Sequence, residues 1–111
     1  MQKGKVSVVI PNYNYAQYLN EAVESALNQI NAKKEVIVVD DGSTDNSKEI
    51  IASFGDAIRP IFQANKGVAA ARNLGASVAN GEYLAFLDAD DAWKPEKLES
   101  QIVRFEKDAR L

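Results

Sequence analysis

The chain has 111 residues, 46% of them hydrophobic and 26% charged, with a net charge of −3. That is the sequence of one globular domain, able to bury roughly two-thirds of the surface its unfolded chain exposes. The absence of cysteine and histidine excludes disulfides, thiol chemistry, histidine-dependent triads and zinc sites of the usual kind, and the acidic balance argues against a sequence-independent grip on nucleic acid.

Any metal must therefore be held by oxygen. No apolar run approaches the length of a membrane span. The apolar stretch after Met1–Lys5 is too short for a secretory leader.

Val6–Ile10 is β-branched and apolar on both faces, which predicts a central strand stopped by Pro11. Pro11–Tyr15 follows as a polar, aromatic loop. Leu19, Val23, Ala26, Leu27 and Ile30 recur at helical spacing and predict a helix from about Tyr18 to Gln29. Glu35–Val39 is a second buried strand ending in Asp40 and Asp41. Gly42–Ser47 has turn and N-cap chemistry, and Asn46 with Glu49 suits a capping box. Ile50, Ile51 and Phe54 give the next helix its apolar face, closed by Gly55-Asp56.

Ile58–Phe62 is a weaker third strand, put at an edge by Pro60. Asn65-Lys66-Gly67 opens a helix over about Val68–Val78, with Val68, Ala71, Leu74, Gly75 and Val78 on its inner face and Asn80-Gly81 at its end. Tyr83–Leu87 then reads as a buried strand running into Asp88, Asp90 and Asp91. Pro95 suits the first turn of a last helix whose stripe is Leu98, Ile102 and Phe105. Residues from Glu106 to Leu111 form a polar end.

The pattern is β-α-β-α-β-α-β-α, which means an α/β fold: a Rossmann-like parallel sheet with right-handed crossovers and helices on both faces. Ligands of such sheets bind outside the carboxyl ends of the strands, where strand order reverses. That rule brings together Pro11–Tyr15, Asp40–Thr44, Asn65–Arg72 and Asp88–Asp91. Tyr13 with Asp40 and Asp41 could hold a base or sugar by stacking and by accepting a ring N–H. Lys66, a helix amino end and Arg72 suit a phosphate.

The three acids after the fourth strand repel one another unless a cation lies among them, and Mg²⁺ or Mn²⁺ with oxygen ligands would serve. A nucleoside diphosphate with a metal fits all four pieces. Each piece also has a structural alternative. Tyr13 and Trp93 could simply pack, Asp40 could hold a turn and Asp45 could cap a helix. Lys66 could be a solvated charge, and Arg72 could pair with a neighbouring acid. The Asp88–Asp91 cluster could cap the next helix.

Taken together, VSVVIPNYNYAQYLNEAVESALNQ, EVIVVDDGSTDNS, NKGVAAARNLGASVANGEYLAFLDADD and KPEKL resemble the nucleotide-sugar-binding half of family 2 glycosyltransferases, over about Val6–Phe105. The resemblance implies the GT-A fold with strand order 3-2-1-4, and the whole of residues 1–111 as one nucleotide-sugar-binding domain. It implies transfer of a sugar from a nucleoside diphosphate, best a UDP-sugar, to an acceptor hydroxyl, as in cell-wall or polysaccharide biosynthesis, with Mn²⁺ or Mg²⁺ as cofactor.

By the same resemblance, Pro11 and Tyr13 lie against the nucleotide, and Asp41, with Asp40 beside it, reads the base. Lys66, Gly67 and Arg72 lie near the base and diphosphate. In the D-x-D motif Asp88 contacts ribose and Asp90 the metal, with Asp88 and Asp91 as further candidate metal ligands.

Family members run longer than this chain. Nothing after Asp91 suits a general base, since Glu96, Glu99, Glu106 and Asp108 lie on or after the last helix. A donor-binding portion truncated at its C-terminal end, poorly active by itself, is expected. Its carbohydrate, lipid or protein acceptor would bind a missing part. It would work in the cytoplasm or at the cytoplasmic face of a membrane, with an exposed sheet edge beside Tyr83–Leu87 that favours self-association. Competing readings are a non-catalytic nucleotide-binding or assembly module, a haloacid-dehalogenase-type phosphatase and a phospho-receiver domain. The last two place their acids after the first strand.

Overall fold

In the computed structural model, which describes residues 2–101, four parallel strands form one sheet in the order β3-β2-β1-β4. The strands are β1 (Gln2–Asn12), β2 (Lys33–Asp40), β3 (Arg59–Phe62) and β4 (Gly81–Phe86). Between them run α1 (Ala16–Leu27), α2 (Ser47–Ser53) and α3 (Val68–Val78), and residues 97–101 are again helical. The predicted alternation and strand order are both met.

The two central strands read as near-continuous apolar runs because helices cover both faces. On one face Val6, Val8 and Ile10 of β1 and Val36 and Val38 of β2 pack with Leu19, Val23 and Ala26 of α1, Ile51 of α2 and Leu98. On the other, Val9, Ile37 and Val39 meet Ala71 of α3. Each of these buried Val, Leu and Ile side chains contributes about 1.5–3 kcal/mol of transfer free energy. α3 lies so close to β1 that a Cβ on Gly75 would stand 2.3 Å from Val9 Cγ1. The run of small residues in α3 thus sets the helix–sheet distance.

Pro11 does not stop β1: it pairs in register with Val39, and the strand continues to Asn12. The reason is directional. Val9 C=O accepts from Leu87 N–H, whereas Asn12 C=O accepts from Asp41 N–H. The side of β1 on which Pro11 lacks a donor is therefore the β4 side, and β4 has ended at Phe86. The ladder stops where proline cannot continue it, and the chain carrying Asp88–Asp91 parts from β1 at that point.

Other boundaries also differ from expectation. α1 begins at Ala16 rather than Tyr18, because Ala16 N–H donates to the Asp45 carboxylate 29 residues away at 3.0 Å. Ile30 falls beyond the helix and is exposed. The Asn46/Glu49 capping box does not form: Asn46 makes no capping bond, and Asp45 accepts from Ser47 N–H instead. Val68 is exposed rather than on the inner face of α3. That helix is capped at Ala79, and Gly81 belongs to β4.

β4 is an edge strand, not a buried one. Tyr83 and Ala85 face the larger core, while Leu84 and Phe86 are 46% and 43% exposed. Ile102, Phe105, Glu106 and Asp108 lie outside the described residues. Among the described residues no helix is long and apolar enough to cross a membrane.

Candidate functional site

In the order 3-2-1-4, the connection through α1 leaves β1 in one direction and β4 returns on its other side, so the reversal lies between β1 and β4. A groove opens at the carboxyl end of that crevice. It is lined by Pro11, Tyr13 and Tyr15 of the β1–α1 loop, Asp41 after β2, Val68 and Arg72 of α3, and Asp88 and Asp90 after β4. The pieces brought together by the strand-end rule do meet, and Asn12 and Ala71 close the floor.

Asp41 is the most constrained of these groups. It is 4% exposed. Oδ1 accepts from Lys66 N–H at 2.7 Å and from Gln63 Nε2 at 2.7 Å, and Oδ2 accepts from Gly67 N–H at 3.0 Å. Burial by itself raises the pKa of Asp41, but the bonds from Lys66, Gln63 and Gly67 outweigh it and hold the carboxyl below its ordinary value. The residue stays ionised and pins the loop that leads into α3. Lys66 and Gly67 contribute through their backbones. The Lys66 side chain is exposed and does not line the groove.

Asp40 turns the other way. Fully buried, it accepts from Asn12 Nδ2 at 3.0 Å, Ser43 Oγ at 2.6 Å and Ser43 N–H at 3.1 Å. It holds the turn and does not line the groove. Gly42 in that turn has φ +76°, and a Cβ there would stand 2.9 Å from Asn65 N, so glycine is required twice over. Asn14 locks the two loops: its Oδ1 accepts from Thr44 N–H at 2.7 Å, and its own N–H donates to Ser43 Oγ at 3.0 Å. Asp45 then ties the starts of α1 and α2 together. Burial raises its pKa as well, but bonds from Ser47 and Ala16 bring it below the ordinary value.

Across the groove, Arg72 Nη2 donates to Asp88 Oδ1 at 2.9 Å, with the two side chains 41% and 58% exposed. An ion pair this accessible contributes about 0–1 kcal/mol and exchanges easily for another partner. Among the described residues no acceptor meets the buried Arg72 Nε–H, so the guanidinium keeps an unused donor beside the groove. Gly67 (φ +100°) sits at the N-cap of α3, and among the described residues no side chain caps it, leaving the first turn able to meet an anion.

Asp90 is exposed, and with Asp91 it also borders a shallow cleft beside Tyr18 and Glu21. The rings of Tyr15 and Tyr18 lie 6.1 Å apart at that rim. Trp93 packs against the larger core, as its structural alternative has it.

Among the described residues no three acidic side chains converge to form a closed metal cage. What the groove offers is one or two carboxylates, Asp90 and Asp88, open on one side. That donor set fits Mg²⁺ or Mn²⁺, which commonly take one or two carboxylates and complete their shell with substrate phosphate and water.

Three contributors were not singled out from the sequence. Asn12 and Gln63 brace Asp40 and Asp41 from 28 and 22 residues away. Gln29, 4% exposed, donates to Lys94 C=O at 2.7 Å and accepts from Leu98 N–H at 2.8 Å, so it straps down the segment that follows the acids. A polar residue on an otherwise apolar face is the only local signal for Gln29.

A four-stranded parallel sheet in the order 3-2-1-4, with helices on both faces and acids and a cation gathered at its switch point, is an α/β domain of the GT-A kind. The chain matches the Glycosyl transferase family 2 profile over residues 7–111. It belongs to that family. An uncharacterized glycosyltransferase of Nostoc sp. is 51% identical over 106 residues, covering 92% of this chain and 33% of the relative.

The structure of Staphylococcus aureus TarS 1-349 in complex with UDP-GlcNAc superposes with a TM-score of 0.79 at 30% identity, over 93% of this chain and 31% of that one. The mannosyltransferase PcManGT of Pyrobaculum calidifontis, in complex with GDP-Man and Mn²⁺, has a TM-score of 0.74 at 28% identity, over 89% of this chain and 31% of that one. The chain thus spans about a third of the length of the Nostoc relative, and likewise about a third of others it matches. Family membership and topology together set aside the phosphatase and phospho-receiver readings.

Proposed function

We propose that residues 1–111 are the donor-binding domain of a glycosyltransferase, and that the groove holds a nucleoside diphosphate sugar, best a UDP-sugar, with Mn²⁺ or Mg²⁺. The observation that carries this reading is that Asp41, Arg72, Asp88 and Asp90 line one groove at the reversal of strand order.

In this reading Tyr13 stacks on the base above Pro11, and Asp41, kept ionised, accepts a ring N–H. The uncapped start of α3 and the Arg72 guanidinium take the diphosphate, and Arg72 gives up Asp88 as it does so. Asp88, released, accepts from the ribose, and Asp90, with Asp88 or Asp91 in reach, holds the metal. Asp40 acts through the turn that aims Asp41. When bound, the metal supplies Lewis-acid stabilisation of charge on the departing diphosphate.

The acceptor hydroxyl (on a carbohydrate, lipid or protein) and the base that deprotonates it are assigned to regions the longer relatives have beyond their match to this chain. On that assignment, residues 1–111 bind donor and turn over slowly. A cytoplasmic setting, including the cytoplasmic face of a membrane, accords with the use of nucleotide-activated sugars.

Amide chemical-shift mapping with UDP and Mg²⁺ tests the location. Shifts concentrated at Tyr13, Asp41, Gly67, Arg72 and Asp88 are expected. Shifts concentrated instead along the β4 edge would sink the proposal.

A further inference from the structure

We propose that Gln63 is a base-specificity residue. By occupying one acceptor position of Asp41, it leaves that carboxylate room for a single further donor, so the groove selects a base edge carrying one ring N–H. This deepens the donor-site reading above and rests on it.

A carboxylate offers about four acceptor positions, two on each oxygen. On Asp41, Oδ1 takes two donors, Lys66 N–H and Gln63 Nε2, each at 2.7 Å, and Oδ2 takes Gly67 N–H at 3.0 Å. One position is left, on Oδ2. The Gln63 backbone N–H donates to Asp40 C=O at 2.9 Å just past the end of β3, which keeps the residue, and so its side chain, within reach of Asp41. Gln63 does not itself line the groove, whereas Asp41 does. Gln63 therefore acts through Asp41 and is a positioning residue for base recognition.

The consequence follows from the hydrogen-bonding edges of the bases. Uracil presents one ring N–H, at N3, between two carbonyls, and a single free acceptor satisfies it. Guanine presents two adjacent donors, N1–H and the N2 amino group, and matches a carboxylate that can use both oxygens side by side. With Oδ1 filled by Lys66 and Gln63, that two-point match is closed, and a guanine placed here would leave a donor buried without a partner. Cytosine has no ring N–H at N3 and brings an acceptor towards the carboxylate. The loop thus carries a selection beyond the acid itself: the aspartate supplies the charge, and Gln63 sets how many donors it can receive.

Calorimetric titration of the 111-residue chain with UDP, 3-methyluridine 5′-diphosphate and GDP, all with Mn²⁺, tests this together with Gln63→Leu and Gln63→Ala. Both variants are checked for folding by circular dichroism. UDP is expected to bind at least about tenfold more tightly than GDP, and methylation at N3 to remove most of that advantage. In both variants Oδ1 regains a free position, and the gap between UDP and GDP should narrow by about threefold or more.

Equal binding of UDP and GDP by the parent chain, or an unchanged gap in folded variants, overturns the role of Gln63 and leaves the donor site standing. If none of the three diphosphates binds, the donor-site reading falls and this inference falls with it.

Discussion

Asp40 and Asp41 are adjacent and chemically identical, yet they do different work. Asp40 is the last residue of β2, and its carboxylate points into the turn, where Asn12 and Ser43 satisfy it. Asp41 is one residue further, on the opposite side, and reaches the groove. The sequence made both candidates legible, because paired acids after a buried strand stand out. It could not separate them, since the choice depends on Asn12, Gln63 and the 66–67 amides, none of them near in sequence. Pro11, Tyr13, Arg72, Asp88 and Asp90 were legible for the same reason as Asp41: each stands at a strand end or helix start in a short motif.

The carboxylates of Asp41, Asp45 and Glu35 make a joint prediction. Glu35 accepts from Ser7 Oγ and Asn80 N–H at the far end of the sheet. Burial raises its pKa, but Ser7, Asn80, Lys5 and Arg59 together bring it below its ordinary 4.5. Asp41 and Asp45 likewise lie below their ordinary 3.8.

For all three, the unfolded chain binds protons that the folded chain refuses. Their stabilisation is therefore present above the ordinary values, 4.5 for Glu35 and 3.8 for Asp41 and Asp45, and is lost as the pH falls through the lower folded values. Thermal melts from pH 7 to pH 3 should show a flat stability down to about pH 4.5 and a fall below it. A melting temperature that is unchanged down to pH 3 would contradict these hydrogen-bond assignments.

At the scale of elements, strand and helix types were readable because the central strands are apolar on both faces and the helices carry clear stripes. Element ends were not. α1 starts where Asp45 of another loop caps it, and β1 outruns Pro11 because proline's missing donor faces a side on which the ladder has ended. α3 offers a direct test. Gly75→Ala puts a methyl within 2.3 Å of Val9 Cγ1. It should cost about 1–3 kcal/mol in urea denaturation, while an exposed change such as Ala69→Ser should fall within about 0.5 kcal/mol.

Gln29 provides a second test. Its side chain fixes Lys94 C=O and Leu98 N–H, which leaves the buried Leu98 amide and the part-buried Lys94 carbonyl without that partner in Gln29→Leu. That variant should lose about 1–3 kcal/mol. Hydrogen exchange at the Leu98 amide should quicken more than at Val8 in the centre of the sheet. Uniform quickening would mean that Gln29 supports the fold at large rather than the segment after the acids.

At the scale of the whole molecule, the sheet is asymmetric. β3 forms one edge, where Pro60 offers no donor to a further strand, whereas β4 is the other edge among the described strands, with Leu84 and Phe86 46% and 43% exposed. Reading Tyr83–Leu87 as buried followed from its apolar run alone. A short apolar strand looks the same whether or not another element lies over it. We propose that the 111-residue chain pairs through this edge. Sedimentation should show concentration-dependent dimers that Leu84→Lys abolishes, and a monomer at all concentrations would argue against pairing.

The central claim, that the groove between β1 and β4 is a metal-assisted diphosphate site, is tested most directly by titrating UDP into the chain with Mn²⁺ and again with EDTA. The account predicts binding at least about tenfold tighter with Mn²⁺, and loss of that difference in Asp90→Ala while the metal-independent binding remains. Equal affinity in the two buffers, or a parent-like metal effect in Asp90→Ala, would contradict it.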